Sequence, residues 1–102
     1  MDPQVKKGLL EFCILSRLSR EESYGYQIIK DLADWVELSE STLYPILRRL
    51  EAGRDVETYS REYHSRIRRY YRITDQGRER LGVFNREQWK LRRILEYIEG
   101  KE

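Results

Sequence analysis

Two hydroxyls, a phenol and a guanidinium, Ser41, Thr42, Tyr44 and Arg48, fall within the short segment S-E-S-T-L-Y-P-I-L-R-R-L-E-A-G at residues 39–53. Side chains of these types exchange hydrogen bonds with the edges of bases, and arginine meets guanine with two parallel bonds. These four are the candidate base readers. A second use for Arg48 is an ion pair with Glu51 or Asp55. Downstream, V-E-T-Y-S-R-E-Y-H-S-R-I-R-R-Y-Y-R-I-T places five arginines between Arg61 and Arg72. The planar guanidinium grips phosphate in a fork where lysine offers a point charge. Arg66, Arg68 and Arg69, with Arg49 before them, are therefore candidate phosphate contacts. Phosphate contacts place a protein on a duplex, whereas base-edge contacts select the sequence.

Such groups work only when rigid elements hold them. In the first segment Leu43, Ile46, Leu47 and Leu50 share one side of a helix, so Ser41, Pro45, Arg48 and Arg49 project from the other, with Thr42 and Tyr44 on the flanks. Ser39 or Ser41 caps this helix, and Pro45 favours Ser41, which puts the proline where the first helix hydrogen bond would be donated. Val56 to Arg61 and Ile67 to Ile73 alternate polar with β-branched and aromatic residues, which predicts a two-stranded hairpin with its tip at E-Y-H-S. Alternation sends either Tyr70 or Tyr71 inward. Upstream, a first helix runs from near Pro3 to about Leu18, and Ser23 caps a second with apolar positions Ile28, Ile29, Leu32, Ala33 and Val36. A helix beside a basic two-stranded projection suits a duplex groove and its flanking phosphates. In that arrangement Tyr26 and Lys30 of the second helix also reach phosphate.

Thr74 caps a last helix from Asp75 to about Glu99. Leu81, Phe84, Leu91, Leu95 and Ile98 form a seam along it, Gln88 fills the missing heptad position, and Trp89, Ile94 and Tyr97 add apolar surface beside it. An apolar seam of this length is unusual on a monomer. It predicts a dimer helix, packed on its copy and on Val5, Leu9 and Phe12 of the first helix. The fold class is therefore mainly α with a small β-hairpin: a winged helix-turn-helix over residues 1–74 and a dimerisation helix over 75–102.

The charge is unevenly placed. The 102-residue chain has a net charge of only +2, yet residues 38–73 hold 8 basic and 5 acidic side chains, and all eight are arginine. This length builds one core and a binding module more readily than an enzyme with an enclosed site. Cys13 is alone in an apolar run, so no intrachain disulfide forms and a reducing, cytoplasmic setting fits. There is no glycine-rich phosphate loop, elbow serine or metal-spaced cluster, and His64 is a lone imidazole, so catalysis, metal and cofactor are not expected.

S-Y-G-Y-Q-I-I-K at 23–30, L-S-E-S-T-L-Y-P-I-L-R-R-L-E at 38–51 and R-R-Y-Y-R-I-T-D-Q-G at 68–77 together resemble the PadR family of transcriptional regulators, in its short form with a single C-terminal helix. The resemblance implies a homodimeric repressor that presents two recognition helices and two wings to a pseudo-palindromic operator. It also implies that Trp89 pairs with its dimer mate around a central cavity and stacks on a flat aromatic effector, with Phe12 and Phe84 available to line the slot. Ordinary packing at the dimer seam is the alternative role for Trp89. The sequence departs from the family at Gly53, which comes one residue early, and at the wing tip, where H-S-R-I replaces a glycine-rich stretch. The competing function is a winged-helix module that binds protein rather than DNA.

Overall fold

Leu10, Ile14, Leu15 and Leu18 line one face of the first helix and are all buried, which gives the other elements a surface to pack on. The computed structural model describes residues 3–101, with side chains from residue 6. In chain order the elements are α1 (Pro3–Arg20), β1 (Ser23–Tyr24), α2 (Gly25–Leu32), α3 (Glu40–Ala52), β2 (Val56–Tyr63), β3 (Arg66–Ile73) and α4 (Asp75–Glu99). Val5 lies in α1, but its side chain is outside the described residues. The fold is a winged helix-turn-helix followed by one long helix.

The core joins α1 to Ile28 of α2, to Leu43, Leu47 and Leu50 of α3, and to Val56 at the root of the wing, all of them fully buried. Each such side chain contributes roughly 1.5–3 kcal/mol of transfer free energy, so this shared core fixes α3 and the wing relative to each other. Tyr71 is the inward member of the tyrosine pair, and Tyr70 stays half-buried on the opposite face.

Four local expectations change. Ser23 does not cap α2. It pairs with Tyr71 as part of a two-residue strand, so the sheet has three strands in the order β1-β3-β2, and Tyr24 stands at the helix cap without a side-chain bond. The second helix stops at Leu32, where the Ala33 and Trp35 amides bond only three residues back, to the Lys30 and Leu32 carbonyls, and tighten the chain into a turn. The cap of α3 is Ser39, whose hydroxyl accepts from the Thr42 amide at 3.2 Å. Pro45 then lies within the helix and leaves the Ser41 carbonyl without its amide, and Ser41 is an exposed residue of the first turn, where solvent can take such a bond. The wing strands run longer than expected, leaving a two-residue turn at His64 and Ser65 with φ of 50° and 63°. Positive φ at both central residues is the signature of a type I′ turn.

Thr74 caps α4 as expected, accepting from the Gly77 amide at 3.0 Å. At the end of α3 the Arg54 amide bonds Glu51 and the Asp55 amide bonds Leu50, the two hydrogen bonds of a Schellman motif. The left-handed seat of that motif, with φ of 63°, is occupied by Arg54 rather than by Gly53, whose φ is −82°.

Candidate nucleic-acid interface

A cleft of about 660 Å³ opens between the exposed side of α3, the start of α2 and the free edge of β3. Tyr44 and Arg48 enter it from α3, Tyr24, Gly25 and Tyr26 from β1 and α2, and Arg66, Ile67, Arg68 and Arg69 from the wing. The edge is free because β1 reaches only Tyr70 and Tyr71. No carboxylate pairs with Arg48, Arg66 or Arg68 among the described residues, so the ion pair to Glu51 or Asp55 considered for Arg48 does not form. Glu51 bonds Arg69 instead, at 3.2 Å, and Asp55 bonds Arg80.

Each candidate base reader has a distinct setting. Ser41 and Thr42 are exposed beside the cap, with Ser39 Oγ donating to Thr42 Oγ1 at 3.1 Å and lying 2.9 Å from Ser41 Oγ. Tyr44 is half-buried, because its ring leans over Gly25: a Cβ there would lie 2.8 Å from Tyr44 Cζ. Gly25 thus sets how closely α2 and α3 approach. Arg48 is exposed and points into the cleft. Ser41 and Thr42 face a second depression shared with Lys6, Lys7, Leu10 and Arg49 on the α1 side. The four residues therefore share one exposed half of α3 but not one pocket.

The phosphate candidates divide the same way. Tyr26 is exposed with Lys30 Nζ 5.7 Å from its ring centre. Arg66 is exposed at the wing. Arg68 is clamped between the rings of Tyr24 and Tyr63, at 4.2 and 4.0 Å. Arg69 is tethered to Glu51 and Thr58 on the inner face of the hairpin. Arg49 bonds Glu11 of α1 at 3.0 Å.

Sequence reasoning missed the outer sheet face. Register puts Tyr59 beside Tyr70, Arg61 beside Arg68 and Tyr63 beside Arg66, and β1 adds Tyr24 next to Tyr70. The rings and guanidinium groups interleave, with Arg61 over Tyr70 and Arg72 over Tyr59 at 5.1 and 5.0 Å. Period-two spacing of Tyr59, Arg61 and Tyr63 was the available signal. Its partners became visible only with the cross-strand register.

Along α4, Phe84 stacks on Phe12 with ring centres 4.1 Å apart, and the two line a shallow slot with Arg80, Val83, Gln88 and Leu91. Trp89 is not in this slot. Five residues carry it about 140° around the helix, where it meets Lys90, Arg93, Ile94 and Tyr97. A single chain therefore does not bring Trp89 to Phe12 and Phe84. Leu81 packs on the core, while Leu9, Leu91, Leu95 and Ile98 are exposed, Ile98 at 72%.

The model of the transcriptional regulator PadR-like family matches residues 14–83, the span from the middle of α1 into α4. The chain belongs to that family. A PadR family transcriptional regulator from Eggerthella lenta is 32% identical, with 97% of this chain and 88% of that one aligned at a TM-score of 0.85. A PadR-like transcriptional regulator from Bacillus cereus is 33% identical over 93% of this chain and 95% of its own, with a TM-score of 0.79. An uncharacterised protein of Lysinibacillus sphaericus is 29% identical over 94% of each chain. Membership in a family of transcription regulators accounts for the winged helix. No described helix is long and apolar enough to cross a membrane.

Proposed function

We propose that this PadR-like protein is a cytoplasmic, sequence-specific DNA-binding repressor and not an enzyme. It acts as a homodimer on a pseudo-palindromic operator. Residues 1–74 are the DNA-binding unit and 75–102 the dimerisation helix. The observation that carries the reading is the cleft lined by Arg48, Arg66 and Arg68, none of which pairs with a carboxylate among the described residues, between a helix and a wing locked on one core. Arg48 reads a base edge, aided by Ser41, Thr42 and Tyr44, while Tyr26, Lys30, Arg49, Arg66, Arg68 and Arg69 hold phosphate. Arg69 would exchange its carboxylate for a phosphate on binding, while Arg49 keeps Nη2 on Glu11 and offers its other nitrogens to phosphate.

The exposed seam of Leu9, Leu91, Leu95 and Ile98 supports the dimer, as an apolar strip that water would otherwise cover. Half-sites on one face of a duplex require recognition helices about 34 Å apart, so small rotations at that seam alter affinity. A small aromatic or hydrophobic effector at the dimer interface, on Trp89 of one side and Phe12 and Phe84 of another, releases the operator only if it binds one spacing better than the other. Saturating effector that left duplex binding unchanged would refute this release mechanism.

Selection of bound duplexes from a random pool, followed by anisotropy titration of the winner and its shuffled form at two salt concentrations, tests the reading. A regulator prefers the selected duplex and loses affinity steeply with salt, because counterion release scales with the phosphates neutralised. A protein-binding module selects no sequence and shows no such slope.

A further inference from the structure

Four charged side chains from four places in the chain meet where α1, α3, α4 and the root of the wing converge. Arg80 of α4 gives Nη2 to Glu11 Oε1 at 2.7 Å and Nη1 to Asp55 Oδ2 at 2.8 Å. The other oxygen of Glu11 accepts from Arg49 Nη2 of α3 at 3.0 Å. Every bond uses a different atom, so all three hold at once. Asp55, 6% exposed, is the last residue of the connection between α3 and β2. Its carbonyl accepts from Thr74, and its second carboxylate oxygen accepts from Gln76 at 3.2 Å. Arg80 also lies over the Phe12 ring at 5.0 Å, next to the Phe12–Phe84 stack.

Two charges of each sign balance within this cluster, so its net charge is zero, although Arg49 still has nitrogens free of Glu11. Its geometry does something else. One guanidinium spans two elements and one carboxylate spans two more, so a shift of α4 cannot leave α3 and the wing root behind without breaking a charged bond. A change at the Phe12–Phe84 stack meets Arg80 directly. We infer that Arg80 and Glu11 are positioning residues that carry movement of α4 to the recognition helix and the wing root together. This rests on the DNA-binding reading for its consequence, though not for its geometry.

The geometry is tested inside one chain. Spin labels on Ala52→Cys in α3 and Asn85→Cys in α4, with Cys13→Ala, give an α3–α4 distance by pulsed electron resonance when labelled chains are diluted into unlabelled ones. The expected result is a narrow distribution that Glu11→Gln and Arg80→Gln each broaden, with the double variant no broader than either single one. Arg80→Lys keeps the charge but cannot span two carboxylates, so it broadens too, and it serves where Arg80→Gln folds poorly. Arg86→Gln, which removes only an exposed pair with Glu79, leaves the distance alone. An unchanged distribution in the Arg80 variants, or additive effects of Glu11→Gln and Arg80→Gln, would overturn the relay.

The duplex selected by the wild-type protein supplies the second readout. Glu11→Gln and Arg80→Gln should weaken binding roughly five- to tenfold, in the usual range for coupled sites, with the salt slope unchanged. A slope reduced by about 1 would make Arg80 a phosphate contact instead. If the wild-type protein selects no duplex, the DNA reading fails, and the spin-label distances still decide the relay.

Discussion

Arg54 occupies a left-handed position that suits glycine, with φ of 63°. A non-glycine residue there costs roughly 1–2 kcal/mol, partly balanced in Arg54→Gly by the extra freedom glycine gives the unfolded chain. The expected net effect is a gain of up to about 1 kcal/mol in urea unfolding, with the m-value unchanged. Gly77 presents the opposite case. A Cβ there would press into the Asp55 carbonyl and come within 2.8 Å of Ile73 Cγ1. Backbone cannot give way as a side chain can, so Gly77→Ala should lower the midpoint of thermal unfolding and separate α4 from the wing root. Arg48→Ala should flatten the sequence preference at one operator position by about 1–3 kcal/mol without altering the fold, as read by competition among single-base variants. Arg66→Ala should instead weaken binding to all duplexes alike and reduce the salt slope by about 1.

At the scale of elements, the wing is held by its outer face as well as by its ladder, since Arg68 lies between Tyr24 and Tyr63 and Tyr59 bonds Glu22 of the α1–β1 connection. His64→Asn with Ser65→Gly should stabilise the hairpin, because Asn-Gly adopts the type I′ turn without strain. Slower amide exchange across β2 and β3 would show it. Burial pushes the Glu11 carboxyl up, but hydrogen bonds from Arg80 and Arg49 outweigh it and hold the group below its ordinary 4.5. The unfolded chain therefore binds more protons than the folded one as acid is added. The contribution of this knot is fully present above about 4.5 and is lost as pH falls through the lower folded value. Glu11→Gln should remove that part of the acid sensitivity in pH-dependent unfolding.

The elements show why some of this architecture was legible in the sequence. Leu43, Ile46, Leu47 and Leu50 repeat with the helix period, and Thr74 caps a long amphipathic run, so α3 and α4 followed from local pattern. Ser23 reads as a cap on local grounds, and only the distant Tyr71 makes it a strand. Pro45 pointed to the wrong cap because its cost depends on whether the Ser41 carbonyl can reach water, which is a tertiary fact. The candidate site was legible as a set of residue types on α3 and the wing. Its division into two depressions, the clamp on Arg68 and the position of Trp89 opposite Phe84 depend on how helices are rotated and strands registered.

For the whole molecule, the dimensions of 57 × 27 × 21 Å reflect a long helix projecting from a compact winged domain. Its apolar seam suits a second chain, the arrangement from which the proposed operator symmetry would follow. Everything in the account depends on the cleft between α3 and the wing meeting duplex DNA in a sequence-dependent way. The most direct measurement is anisotropy titration of the wild-type protein on a selected duplex and on its shuffled form, each at low and physiological salt. The account predicts tighter binding to the selected duplex at both concentrations and a steep loss of affinity for both with salt. Equal binding to the two duplexes, or none to either, would contradict it.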